Sequence, residues 1–214
     1  MRIVERSGEN YSNIADCNTS LAMPGTEMDI DRLSQIKRIN VVGTSGSGKS
    51  TFGRKLAELL QLPFVEMDRL HWGPNWQETP PDEMLLKVQQ VTDGTHWVLD
   101  GNYLKTTPVK WKHVQLVVWL DMSFPRTIYR VTSRCLKRVW NRTEIWPDTG
   151  NRESIATSFF SRDSVILWAI TSYRNHMLHY PEVMSSPDYS HIWFVRLRTP
   201  RECDEFLAAA ARQI

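Results

Sequence analysis

Cysteine is scarce: Cys17, Cys135 and Cys203 are the only three in 214 residues, and no C-x-x-C pair occurs. That count supports neither a disulfide framework nor a zinc knuckle, and a reducing compartment is the expectation. No apolar run approaches the roughly 20 residues of a membrane-crossing helix. The N-terminus lacks the basic-then-apolar order of a secretory signal. A soluble cytoplasmic protein without a membrane partner is therefore expected. Neither sign of charge dominates: 26 Lys and Arg against 24 Asp and Glu give a formal net charge of +2. That excess is too small to argue for a nucleic-acid partner. Internal repeats and low-complexity tracts are also missing.

What remains is an ordinary globular composition, 41% hydrophobic and 23% charged, in a length that suits one domain with its own core. Residues 1–35 carry no sustained period and many turn formers, and read as a loosely ordered extension. Met28 stands just before the patterned region. From residue 36 onward, short apolar runs alternate with helical patterns. The runs are "IKRINVV" (36–42), "PFVEM" (63–67), "HWVLD" (96–100), "HVQLVVWL" (113–120) and "HIWFVRL" (191–197). Between them Phe52, Leu56, Leu59 and Leu60 share one helical face, as do Leu85, Val88 and Val91. Ile128, Val131, Cys135 and Val139 do so in a longer helix. Further helices are expected over 162–177 and from Pro200, with Thr199 as the N-cap of the latter. The alternation predicts a three-layer α/β domain over 36–214 with a five-stranded parallel sheet.

The stretch "INVVGTSGSGKST" (39–51) holds G-x-x-x-x-G-K-[ST] after a strand run and before an amphipathic helix. Gly43, Gly46 and Gly48 let the chain take positive φ, so successive N–H groups converge on phosphate oxygens. Ser45, Ser47, Ser50 and Thr51 complete a nucleotide-binding segment over which the next helix aims its positive end. Lys49 reaches the β- and γ-phosphates, and the Ser50 hydroxyl ligates Mg²⁺. ATP and Mg²⁺ are the cofactors this implies. A GTPase needs N/T-K-x-D late in the chain, and a transporter ATPase needs an L-S-G-G-Q-like signature; neither is present.

The acceptor side is read from two segments. "PFVEMDRLHWGPNW" puts Asp68 at the carboxyl edge of the second strand run, where α/β ligands sit; the bland alternative is a helix N-cap. Trp72 and Trp76 either clamp a planar acceptor by stacking or close the core under a loop. In "WVLDGNY", Gly101 permits close approach by substrate. His176 and His179 in "HMLHY" sit at helical spacing, but nothing near them completes a metal set, so a helix end with two hydrated imidazoles is expected. Arg126, Arg130, Arg134, Arg138 and Arg142 recur every four residues. Each such step drifts about 40° around a helix, so the stripe spirals, and by Arg142 the helix ends or a lid begins.

Five segments together carry a resemblance: "GTSGSGKST", "LPFVEMDRLHWGPNW", "WVLDGNY", the arginine series from 126 to 142, and "GNRES" at 150–154. The chain resembles the small P-loop kinases, namely adenylate kinase, other nucleoside monophosphate kinases, and shikimate and gluconate kinases. Over 36–210 it is more closely similar to the adenylate-kinase-like bacterial proteins labelled DNA topology modulation (FlaR-type) proteins. The resemblance implies a nucleoside monophosphate kinase type of P-loop fold with a lid at about 142–162. It implies a phosphotransferase that moves the γ-phosphate of ATP to a small acceptor. Lys49, Asp68, Arg134 and Arg138 are then catalytic, with Asp68 orienting or deprotonating the acceptor hydroxyl. Asp100 matches the strand-end acid that holds Mg²⁺ through water. Asp68, Trp72, Gly101, Asn102 and Tyr103, with Arg152 and Arg162 of the lid, are the substrate-binding candidates. Adenylate kinases grip a monophosphate with an arginine shortly after D-G; here Leu104 and Lys105 follow Tyr103, and Lys105 offers a point charge in place of that bidentate fork. The acceptor therefore stays open among nucleoside monophosphate, nucleoside, sugar acid and oligonucleotide end. A second reading is a nucleotide-gated protein that docks nucleic acid on the arginine helix without phosphotransfer.

Overall fold

The computed structural model describes residues 30–154 and 164–212. In chain order these form α1 (Ile30–Ser34), β1 (Arg38–Gly43), α2 (Lys49–Leu59), β2 (Phe64–Glu66), α3 (Met67–His71) and α4 (Pro81–Thr92). There follow β3 (Trp97–Asp100), α5 (Thr107–Lys110), β4 (Leu116–Leu120), α6 (Phe124–Asn141), α7 (Val165–Met184), β5 (Trp193–Leu197) and α8 (Pro200–Ala211). The five strands make one sheet in the order β2-β3-β1-β4-β5, and every neighbouring pair is parallel. Four fall inside the apolar runs read from the sequence, and β1 runs one residue beyond its run, to Gly43.

A parallel sheet with crossover helices is buried on both faces, so its strands are apolar at odd and even positions alike. Ile39, Val41, Leu116, Val118 and Leu120 pack with Phe52 and Leu56 of α2 and Phe206 and Ala210 of α8. Val42, Leu99, Val117 and Trp119 face the other way, onto Met84 and Val88 of α4, Trp111, and Tyr180 and Val183 of α7. Asn40 is a fully buried polar residue in β1. Its side chain donates to Leu99 O at 2.9 Å and accepts from Trp111 Nε1 at 2.8 Å, so its burial leaves neither end unpaired.

Two boundaries differ from expectation. The packed domain begins before residue 36: Leu33 of α1 is fully buried against the α2–α8 layer, together with Ile36. The rest of the expected extension, residues 1–29 with Cys17 and Met28, lies outside the described residues. Helix α7 continues through Pro181 to Met184, beyond the expected end at 177. Burying Tyr180 and Val183 against the sheet outweighs the helix bond that proline removes. Thr199 does cap α8, its side chain accepting from Glu202 N at 3.1 Å. Among the described residues no helix is long and apolar enough to cross a membrane.

The strand order places β1 between β3 and β4, with chain crossing to both sides of it. At such a switch point the carboxyl ends of the strands open into a crevice. The glycine-rich segment leaves β1 there.

Candidate active site

The segment 43–50 forms the floor of the crevice. Gly46 (φ +88°) lies so close to α6 that an added Cβ would stand 2.6 Å from Thr127 O, so only glycine fits there. Gly48 (φ +101°) caps α2, whose first residue is Lys49. Lys49 Nζ donates to Thr44 O at 3.3 Å, which keeps the ammonium over the loop. Ser47 Oγ is buried without a hydrogen-bond partner, whereas Ser45 Oγ accepts from Arg134 Nη2 at 3.1 Å. Thr51 is exposed on α2.

Asp100 ends β3 and is 6% exposed. Burial raises its pKa to about 6, opposed by the Lys49 charge and a hydrogen bond from Ser50, and reinforced by the negative charges of Asp68 and Glu66. Asp68 and Asp100, distant in sequence, therefore act on each other electrostatically. Asp100 Oδ1 has no hydrogen-bond partner.

Asp68 is the second residue of α3, and the residue in the N-cap position is Glu66, which makes no side-chain cap. The N-cap reading of Asp68 is thereby overturned. Its Oδ1 accepts from the Tyr103 hydroxyl at 2.8 Å. Tyr103 sits in the left-handed region (φ 32°), and burial together with Asp68 pushes its acidity far down. Gly101 has a different duty from the expected one. A Cβ there would stand 2.8 Å from Met67 Cβ, so glycine admits the start of α3. Asn102 is also reassigned: its Oδ1 accepts from Gly43 N at 2.9 Å and its Nδ2 donates to Gly43 O at 2.8 Å. Both ends of the amide clamp the cradle.

The tryptophans do not form a stacking clamp. Trp72 and Trp76 meet edge to face, with centroids 5.5 Å apart and planes at 83°, and Trp76 meets Trp146 similarly at 6.3 Å. His71 continues the series, packing on Trp72 at 4.6 Å and Tyr103 at 5.3 Å. This row joins the acceptor loop to the lid segment 142–154. Asn75 N donates to Thr149 O at 2.9 Å, Trp76 N to Asn151 Oδ1 at 2.6 Å, and Asn151 Nδ2 to Gly73 O at 3.0 Å.

The spiral of arginines follows from its pitch. Helix α6 ends at Asn141, with Arg142 in the left-handed region (φ 48°). Arg130 is exposed, yet its Nη1 donates to Ser47 O at 3.5 Å. One turn on, Arg134 reaches Ser45; another turn on, Arg138 pairs with buried Glu153 of the lid at 2.9 Å. Arg126 is exposed. Burial is the main cause that lowers the Arg134 pKa, and Asp68 and Glu153 oppose it. Arg134 thus bonds the cradle at Ser45 and feels the charges of Asp68 and Glu153. Arg152, a substrate-binding candidate of the lid, pairs its guanidinium with Glu144 at 3.0 Å and is 58% exposed. Arg162 lies outside the described residues.

The sequence reading missed several groups. His176 is not hydrated at a helix end: it is 5% exposed, and Nδ1 lies 3.2 Å from Thr44 Oγ1. His179 is half-buried, and its Nε2 has no partner. Glu66 joins Arg54 of α2 to the lid through Trp146 Nε1 at 3.4 Å. Their signals are single polar residues inside apolar stretches, a pattern any helix or strand contains. Among the described residues no group of three or more His, Cys, Asp and Glu side chains converges as a metal site.

Lys110 is 1% exposed and donates to Asn102 O. Burial lowers its pKa to about 7 from 10.5. The folded value lies below the unfolded one, so folding releases a proton between those two pH values. Stability from this group therefore rises with pH through that window and is lost as pH falls through about 7. Lys110→Met is expected to raise stability at pH 7 by about 1–3 kcal/mol and to flatten that rise. Urea midpoints at pH 7 and pH 10 check it; a variant that is weaker at pH 7 contradicts it.

Comparison with known proteins bears on the fold. A shikimate kinase family profile matches residues 45–75, from the cradle to the turn after α3, a span well under half of the chain. No protein of curated function matches significantly. A shikimate kinase from Acinetobacter baumannii, solved in complex with shikimate, aligns over 84% of this chain and 93% of its own. It is 17% identical, with a TM-score of 0.50. A gluconokinase from Sinorhizobium meliloti 1021 covers 82% of this chain and 92% of its own at 20% identity, and its TM-score of 0.45 is too low to add weight. At such identities the likeness concerns architecture: the described residues carry the five-stranded parallel P-loop fold of the kinase from Acinetobacter baumannii.

Proposed function

We propose that this chain is an ATP- and Mg²⁺-dependent phosphotransferase that moves the γ-phosphoryl group of ATP onto a hydroxyl of a small acceptor. One observation carries the reading. Lys49, Ser50, Asp100, Asp68 and Arg134 come from four separate elements, and the charges of Lys49 and Asp68 both act on Asp100, while that of Asp68 also acts on Arg134. A fold without a ligand has no need to gather two acids and two cations at a strand edge, and shifted ionisation in a cleft is a mark of function.

Backbone N–H groups of the cradle and Lys49 would hold the β- and γ-phosphates. The residues suit Mg²⁺: a buried carboxylate with an unpartnered oxygen stands beside the Ser50 hydroxyl. Ser50 and Asp100, the latter through water, would hold the ion, which when bound offsets phosphate charge. Asp68 would orient the acceptor hydroxyl and take its proton, with Tyr103 fixing the carboxylate. Arg134 would balance charge that develops on the transferred oxygens.

Leu104 and the exposed Lys105 occupy the place of a monophosphate-gripping arginine, which turns the reading toward hydroxylated carbon compounds. The shikimate and gluconate named by the matched proteins open the panel. The finer likeness to FlaR-type proteins rests on the quoted segments alone. The nucleic-acid reading is weakened because Arg130, Arg134 and Arg138 turn toward the cradle and lid and not outward as a row. The test is coupled ADP release across sugar acids, shikimate, nucleosides and nucleoside monophosphates, with Lys49→Met as the blank. One acceptor should raise ADP release at least about tenfold over that blank. A chain that binds ATP yet responds to no acceptor speaks against transfer.

A further inference from the structure

We propose that His176 is a positioning residue for the phosphate cradle, holding Thr44 from beneath by a buried hydrogen bond. The inference rests only on the nucleotide-binding part of the reading above.

Thr44 and His176 are each 5% exposed. Thr44 Oγ1 and His176 Nδ1 lie 3.2 Å apart, and the described residues offer neither atom a second hydrogen-bond partner. The carbonyl of the same threonine accepts from Ser47 N at 3.0 Å and from Lys49 Nζ at 3.3 Å. One residue thus joins the turn of the cradle, its lysine and a helix 132 positions away in sequence. Where Thr44 sits determines where the Lys49 ammonium rests.

His176 is well placed for such a task. Burial, helped by the Lys49 charge, lowers its pKa to about 4, so the ring is neutral across the physiological range. Either neutral tautomer can complete the bond, since a hydroxyl both donates and accepts. Four residues on, the Tyr180 hydroxyl donates to Asn102 Oδ1 at 2.9 Å, the same oxygen that accepts from Gly43 N. The two rings pack with centroids 5.6 Å apart. By their i,i+4 spacing they lie on one helix face, and α7 grips two consecutive residues of the cradle, 43 and 44. A phenylalanine would fill the space at 176 but would leave the Thr44 hydroxyl buried and unpaired.

The test is calorimetric titration of Mg·ATP into the full chain and into Thr44→Val, His176→Phe, the double variant and His176→Gln, each with a thermal melt. Each of the first two should weaken binding about fivefold, and the double should be no weaker than either alone. His176→Gln, which restores a hydrogen-bonding group, should return to within about twofold of the unmodified chain. Additive losses, unchanged binding by Thr44→Val, or a glutamine variant as weak as the phenylalanine one would each reduce His176 to packing and overturn the proposal. If His176→Phe does not fold, Thr44→Val decides alone. An unmodified chain that does not bind Mg·ATP overturns this inference and the nucleotide reading together; one that binds, with indifferent variants, overturns the inference only.

Discussion

Asp68→Asn is expected to lower acceptor-dependent turnover by about 10²–10⁴-fold while Mg·ATP binding changes by less than about twofold. Asparagine keeps the size of aspartate, and its carbonyl can still accept from the Tyr103 hydroxyl, which now bonds Oδ1 at 2.8 Å. The packing of α3 is untouched, because Met67, not Asp68, is the residue buried against Gly101. What disappears is a group able to take a proton from an acceptor hydroxyl whose own pKa is high. Lys49, Ser50 and the cradle amides that would hold the nucleotide lie on other elements. Steady-state turnover beside calorimetric ATP affinity separates the two effects. A variant with full turnover would exclude Asp68 from the chemistry.

Arg134→Lys is expected to lower turnover by about 10²–10³-fold, with ATP affinity falling by no more than about fivefold. Arg134 Nη2 bonds Ser45 Oγ at 3.1 Å, and its Nε is buried without a partner. A planar fork can serve Ser45 and a phosphoryl oxygen at once in fixed geometry, whereas an ammonium is a compact point charge on a shorter reach without that fork. Positive charge is conserved in the substitution, so the loss measures geometry and not net charge. Arg126→Lys on the same helix is the control; its side chain is exposed and it should turn over normally. Equal turnover in all three chains would place Arg134 among residues that merely pack the cradle against α6.

Much of this protein is legible from short windows. The five strands appear as apolar runs because a doubly covered sheet has no polar face to show. The cradle appears because its glycines answer a backbone demand that is local: positive φ at Gly46 and Gly48 needs no knowledge of distant chain. Thr199 follows from an equally local capping rule, and the end of α6 near Arg142 from the drift of the arginine stripe around the helix. Asp100 is readable as a strand-end acid, since it closes the run 96–100, and Asp68 as the acid that directly follows the run 63–67.

Partners across the fold are another matter. Nothing near Gly101 announces Met67 as its reason, and nothing near Asn102 announces Gly43, because those contacts form only when α3 and β1 reach the edge of β3. The stripe of arginines is periodic in sequence, yet which of them meets the cradle depends on the rotation of α6: Arg130 and Arg134 do, and Arg138 turns to Glu153. Arg152 shows the same limit in reverse, since a basic residue in a lid says nothing about Glu144 across the hairpin. His176 is the clearest instance. Composition and spacing left it solvated, while burial of Tyr180 and Val183 drew α7 past Pro181 and carried the imidazole under Thr44. The sequence by itself determined the strands, the cradle and the two edge acids, because backbone dihedrals and alternating burial act within a few residues. Only the tertiary structure decided which side chains meet, because hydrogen bonds and ion pairs a few ångströms long depend on how distant elements rotate and dock.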